Sequence, residues 1–256
     1  MATIIAVKMV DLYNYFDKVY YINLDEDDNK KKYFQTEIAK SRFLSEKAKR
    51  YSAVIGKYID IRLISDSIIT ERARTEIMSK NQKIFGISLT YGSLGCAMSH
   101  YLIYQECKGR HKPFLILEDD IIISTDFDNQ LLVFLNEIES NKLEYDIIYL
   151  GFNEIPGFNK KILNNVVSKP TGFITGTYGM IVSNKGADKI LKEVFPLNQQ
   201  IDSSISHNLE KFDVLCPTQK IVKVNLGFGS KTQSKTSCIN QYNYEAIEDS
   251  WMKLFQ

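Results

Sequence analysis

The chain has little cysteine, little proline, almost no tryptophan, no excess of either charge and no long apolar run, and each shortage closes off a class of protein. Its four cysteines, Cys96, Cys107, Cys216 and Cys238, show no metal-ligand spacing among themselves. Cys96 and Cys107 fall on one expected helix, which sets them ~16 Å apart at 1.5 Å per residue. That is far beyond the ~7 Å Cα limit for a disulfide. Reduced thiols, and with them a cytoplasmic location, are the expectation. No apolar stretch approaches the ~20 residues of a membrane span. The start, MATIIAVKMVDLYNYFDKVYYINLD, has neither a basic n-region nor a small-residue cleavage site, so no signal peptide is expected. Thirty-two basic against 31 acidic residues leave a net charge of +1. That charge supplies no field to draw the protein onto nucleic acid or an anionic membrane, although peripheral membrane association stays open. There is no Walker-type loop and no G-x-G-x-x-G behind a strand. With no repeat, low-complexity segment or Pro/Ser linker, the 256 residues read as one domain, with a core over about 18–225 and a tail, 226–256, packing near the site.

Among the residues present, Lys112–Ser124, KPFLILEDDIIIS, stands out. Phe114 to Leu117 form an apolar run typical of a strand covered on both faces. It runs into Glu118, Asp119 and Asp120. Adjacent carboxylates raise one another's pKa unless a cation answers them. The nearest basic residues in sequence, Arg110 and Lys112, lie behind the strand. A divalent ion with a taste for hard oxygen, Mg²⁺ or Mn²⁺, is one answer. An acidic turn partnered from elsewhere in the fold is the other, and the pattern alone does not separate them.

Around this stretch, β-branched and aromatic content predicts strands at Lys18–Leu24, Tyr51–Val54 and Asp146–Leu150, the last ending at Gly151. Further short strands are expected at Val214–Cys216 and Ile221–Val224. Helical periodicity covers Lys30–Phe43, Ile68–Lys80, Cys96–Cys107, Phe127–Glu139, Lys185–Val194 and Ile201–Leu209. Thr90–Gly95 reads as a Gly-rich turn, Asn153–Pro170 as a loop with hairpin potential, and Thr171–Ser183 as glycines alternating with β-formers. Strands separated by helix-length segments indicate an α/β fold with a mainly parallel central sheet flanked by helices, whose ligands sit at the carboxyl ends of the strands. His100 reads as a hydrogen-bonded core histidine, His111 as exposed, and His207 either as an exposed helix residue or as a third metal ligand. Asp202 reads as the N-cap of its helix or as a general base facing the sheet edge.

Four blocks, in order, resemble glycosyltransferase family 25, which includes lipooligosaccharide and collagen galactosyltransferases. They are Tyr20–Asp25 (YYINLD), Leu89–His100 (LTYGSLGCAMSH), Ile116–Asp120 (ILEDD) and Gly176–Leu191 (GTYGMIVSNKGADKIL), with a shorter match at Ile201-Asp202. The resemblance implies a nucleotide-binding GT-A-type fold. It also implies inverting transfer of galactose or glucose from a UDP-sugar to a hydroxyl of a glycan or protein-linked acceptor. By the same token Asp120 holds Mn²⁺ (or Mg²⁺) while Glu118 and Asp119 serve the ribose and metal-bound waters; Asp119 and, from its helix position, His207 are the further candidate ligands. The nucleotide-sugar pocket draws on Ile22, Asn23, Leu24, Ala53, Gly56, Ser99, His100, Glu118, Asp119, Gly176 and Thr177, and Asp202 is the base. Departures from the family pattern stand at Asp25–Asn29, which is acidic where basic residues are common. They continue at Ala53–Gly56, which lacks an aspartate, and at Ser93, which replaces an acidic residue. A sugar nucleotidyltransferase and a degenerate glycan- or nucleotide-binding protein on the same fold are the competing readings.

Overall fold

The computed structural model describes residues 9–80, 83, 86–155 and 157–228. In chain order the elements are α1 (Leu12–Tyr15), β1 (Lys18–Asn23), α2 (Asp28–Ile38), α3 (Arg42–Lys47), β2 (Lys49–Ser52), α4 (Glu71–Met78), α5 (Tyr91–Cys107), β3 (Phe114–Glu118), β4 (Ile121–Ile123) and α6 (Phe127–Ser140). They continue with β5 (Ile147–Glu154), β6 (Lys160–Ile162), β7 (Val167–Pro170), β8 (Ile174–Val182), α7 (Asn184–Glu193), α8 (Ile201–His207), β9 (Val214–Pro217) and β10 (Val222–Val224). Eight strands form one sheet in the order β2-β1-β3-β8-β5-β9-β7-β6, and β4 and β10 form a separate antiparallel pair. Six of the eight strands point the same way; β7 and β8 oppose them.

Both faces of this sheet are covered, which is why its central strands read as unbroken apolar runs. In β3, Phe114 and Ile116 join one core with α4, α5, α7 and α8, while Leu115 and Leu117 join a second with α1, α2, α3 and α6. The same two-residue alternation sorts Ile147 and Tyr149 from Ile148 and Leu150 in β5.

Local chemistry shifts several expected boundaries. The periodicity over Lys30–Phe43 is broken where the Ser41 side chain accepts the Leu44 N–H and starts α3 as a new helix. The expected turn at Thr90–Gly95 is instead the first turn of α5, held by a capping box between Thr90 and Ser93. Strand β5 runs on past Gly151 to Glu154 through two register shifts against β8. The loop expected over Asn153–Pro170 contains β6 and β7, and pairing to β1 involves Lys49–Ser52 rather than Tyr51–Val54. The three isoleucines after the acidic triplet leave the main sheet and pair with β10. Among the described residues no helix is long and apolar enough to cross a membrane. Most of the tail, residues 229–256 with Cys238, lies outside the described residues, whereas Cys96, Cys107 and Cys216 are free thiols.

Candidate active site

Parallel strands β1, β2 and β3 deliver Asn23, Ser52 and Glu118 to one edge of the sheet. Strand β8 runs the other way, pairing Leu117 with Gly179, so its early residues Gly176 and Thr177 reach that same edge. Helix α8 packs against β8 and adds Asp202.

The triplet divides at this edge. Glu118 turns toward α5 and β8: its Oε1 accepts the Thr177 hydroxyl at 2.7 Å and lies 3.2 Å from His100 Nε2. His100 is fully buried, and its Nδ1 sits 3.3 Å from the Tyr104 hydroxyl. Burial pushes the Glu118 carboxyl up, but the His100 contact and the Thr177 hydroxyl outweigh it and hold the group below the usual carboxylate range.

Asp119 and Asp120 turn toward α2. Lys30 Nζ donates to Asp120 Oδ2 at 2.7 Å and lies 3.2 Å from Asp119 Oδ1. Asp119 Oδ2 also accepts Asn23 Nδ2 at 2.7 Å, and Arg50 Nε donates to Asn23 Oδ1 at 2.9 Å. Lys30 is buried. Burial alone would draw its proton off, yet the two aspartates reverse that and hold the ammonium charged. One cation still faces three anions. Burial, with Glu118 and Asp119 adding to it, pushes the Asp120 carboxyl up to about 6 despite Lys30. Asp119 is raised for the same first reason, burial. Part of the counter-charge thus comes from elsewhere in the fold, through Lys30 of α2. Arg110 faces Asp17 and Glu106 instead.

Asp202 is not the cap of α8. Gln200 occupies that position, and Asp202 sits in the first turn, where its Oδ1 accepts the Ser203 N–H at 2.8 Å and its Oδ2 the Gly176 N–H at 3.1 Å. Gly176 presents that N–H from a left-handed backbone, φ +91°, which a side chain would strain. Burial raises the Asp202 carboxyl above its ordinary value against the pull of both N–H groups. Beside it the fully buried Tyr149 hydroxyl has no hydrogen-bond partner among the described residues.

The remaining nominated residues are distributed as follows. Ile22 is core and Leu24 half-buried, and Ala53 continues the β1 register by donating its N–H to the Asn23 carbonyl. Ser99 accepts the Val54 N–H at 2.8 Å and donates to the Gly95 carbonyl. A Cβ on Gly56 would lie 1.6 Å from the Tyr91 carbonyl oxygen, and one on Gly95 would strike Gly56. The glycines therefore let the chain after β2 cross α5 backbone to backbone, a packing role that spacing alone did not reveal. His207 is not in the group of possible metal ligands that the described residues bring together. Its Nδ1 lies 2.9 Å from the Ser203 carbonyl and its ring packs on Phe173. Lys30, Arg50 and Tyr149 are site residues that sequence reading missed. Lys30 sits in a run of three lysines that looks like a solvated face.

A model of the family described as Glycosyltransferase family 25 (LPS biosynthesis protein) matches residues 16–205. The chain belongs to glycosyltransferase family 25. Every family 25 site residue nominated from sequence lies in the matched segment except His207. Procollagen galactosyltransferase 1-B of Xenopus laevis is 30% identical over 186 residues, covering 69% of this chain and 28% of that protein. The probable inactive glycosyltransferase 25 family member 3 of Bos taurus is 24% identical over 178 residues, 69% of this chain and 29% of its own. The inactive glycosyltransferase 25 family member 3 of Homo sapiens is 37% identical over 71 residues, 27% of this chain and 12% of its own. The chain thus spans under a third of the length of these curated relatives.

Proposed function

We propose that this family 25 domain transfers a hexose, galactose or glucose, from a UDP-sugar to a hydroxyl of a glycan or glycosylated protein, with inversion at the anomeric carbon. The observation that carries the reading is the surplus of negative charge at the β3 edge, where Asp119 and Asp120 share Lys30 and the Glu118 carboxylate adjoins them. Hard oxygen donors with charge to spare suit Mn²⁺ or Mg²⁺, and Asp119 and Asp120 are the residues that would hold it. Such an ion stabilises the negative charge of a departing nucleoside diphosphate.

The rest of the work falls to side chains. Asn23 and Arg50 brace Asp119. Lys30 offers its ammonium to a phosphate oxygen once its carboxylates are otherwise engaged. Thr177 and His100 fix Glu118 as an ionised acceptor for donor hydroxyls. As the acceptor oxygen bonds to the anomeric carbon and the bond to phosphate breaks, Asp202 takes the acceptor proton; inversion requires that base on the face opposite the leaving group. Calorimetry with UDP and Mn²⁺ tests the reading. Binding that vanishes in Asp120→Ala supports it; UDP binding unaffected by that change, or by chelator, removes the metal role.

A second reading has specific support: Lys30 already answers part of the charge a metal would answer, and two of the relatives above bear the word inactive in their names. A non-catalytic member would bind UDP without turnover. Release of pyrophosphate rather than UDP would instead indicate nucleotidyl transfer.

A further inference from the structure

Helix α5 places Cys96 and His100 four residues apart, on one face and one turn from each other. Glu118, at the end of β3, meets them there. The Cys96 Sγ, a His100 ring nitrogen and a Glu118 carboxylate oxygen all lie within 4.8 Å of one another. Among the described residues this is the group of histidine, cysteine and acidic side chains positioned to hold an ion. We infer that Cys96, His100 and Glu118 form a binding site for a borderline divalent cation of the Zn²⁺ class, beside the hard-cation position at Asp119 and Asp120 and distinct from it.

The donor chemistry selects the ion. One thiolate, one imidazole and one carboxylate suit Zn²⁺ or Co²⁺, whereas Mg²⁺ and Mn²⁺ favour oxygen throughout. Geometry agrees. Two donors each about 2.0–2.2 Å from one tetrahedral ion stand roughly 3.3–3.5 Å apart, and His100 Nε2 and Glu118 Oε1 stand at 3.2 Å. The outer contacts match as well. With Nε2 on the ion, Nδ1 carries the proton and faces the Tyr104 hydroxyl at 3.3 Å. Glu118 is steadied by the Thr177 hydroxyl. Outer partners of this kind orient metal-bound histidines and carboxylates generally.

The three side chains project from rigid supports: α5 is clamped at the Gly56–Gly95 crossing, and β3 is buried on both faces. Cys96 and Glu118 are half-buried, which leaves a way in. Three protein donors leave a fourth position for water or for an oxygen of a bound ligand, the pattern of an open rather than a closed structural zinc site. Loading releases the Cys96 thiol proton to solvent. The inference does not depend on the donor sugar or on transfer activity.

Co²⁺ titration of the full chain tests it. A thiolate-to-cobalt charge-transfer band in the near ultraviolet should grow to one equivalent and disappear on adding Zn²⁺. Cys96→Ser should abolish the band, while Cys107→Ser should keep it. Zn²⁺ affinity measured by competition should fall by more than the roughly 10–100-fold typical of losing an outer partner. His100→Asn, checked for its melting profile, should weaken Co²⁺ binding to a similar degree. No cobalt band in the wild-type protein, or a band that survives Cys96→Ser, overturns the inference.

Discussion

Lys30 Nζ lies 2.7 Å from Asp120 Oδ2 and 3.2 Å from Asp119 Oδ1, so a buried ammonium bridges the two acids that family resemblance nominates for a metal. All three side chains are under a fifth exposed, so solvent screens the contact weakly. Removing one member of such a buried arrangement leaves charge uncompensated and costs about 3–5 kcal/mol.

Lys30→Met should therefore lower stability in chelator by an amount of that order in a urea titration. Mn²⁺ should restore more stability to the variant than to wild type, because no lysine competes with the ion. Adding Asp120→Asn to the variant should recover part of the loss. A variant as stable as wild type in chelator would mean that the bridge contributes nothing.

The proposed base, Asp202, sets the expected pH dependence. A base works ionised, and burial raises this carboxyl above its ordinary value. As pH falls, turnover should be lost at a higher pH than the roughly 3.9 of an unperturbed aspartate. Asp202→Asn should abolish transfer and spare UDP binding. An acid limb of kcat/KM that persists unchanged in the variant assigns the titration to another group.

The crossing of Gly56 over α5 can be tested without any ligand. A methyl at Gly56 meets backbone, the Tyr91 carbonyl, rather than a side chain that can move aside. Gly56→Ala should destabilise by at least the 1–3 kcal/mol typical of overpacking. It should also disturb the Ser99–Val54 hydrogen bond, seen as faster amide exchange at Val54. Wild-type exchange and stability would contradict the packing role.

What was legible in the chain follows from where each signal resides. Strand β3 is legible because burial on both faces requires continuous apolar side chains, and β1 because of its β-branched and aromatic residues. The start of α5 is not, since two glycines in one turn look like a break until the Thr90–Ser93 capping box is seen. Lys30 is invisible for a different reason. The charge that answers Asp120 arrives from an element distant in sequence, and its neighbours in sequence, Arg110 and Lys112, misdirect the search. Asp202 looked like a helix cap because the hydrogen bond that engages it comes from Gly176, whose left-handed backbone no spacing rule announces. Cys96 and His100 are separated by one helical turn on the page; Glu118 completes their group only through the approach of α5 to β3.

The most direct test is a donor screen: purified protein with Mn²⁺ and each of several UDP-sugars, with released UDP measured with and without chelator. UDP released from UDP-galactose or UDP-glucose, suppressed by chelator and lost in Asp120→Ala, is the expected result. No UDP from any donor despite measurable UDP binding, or release unchanged by chelator and by Asp120→Ala, would contradict the account.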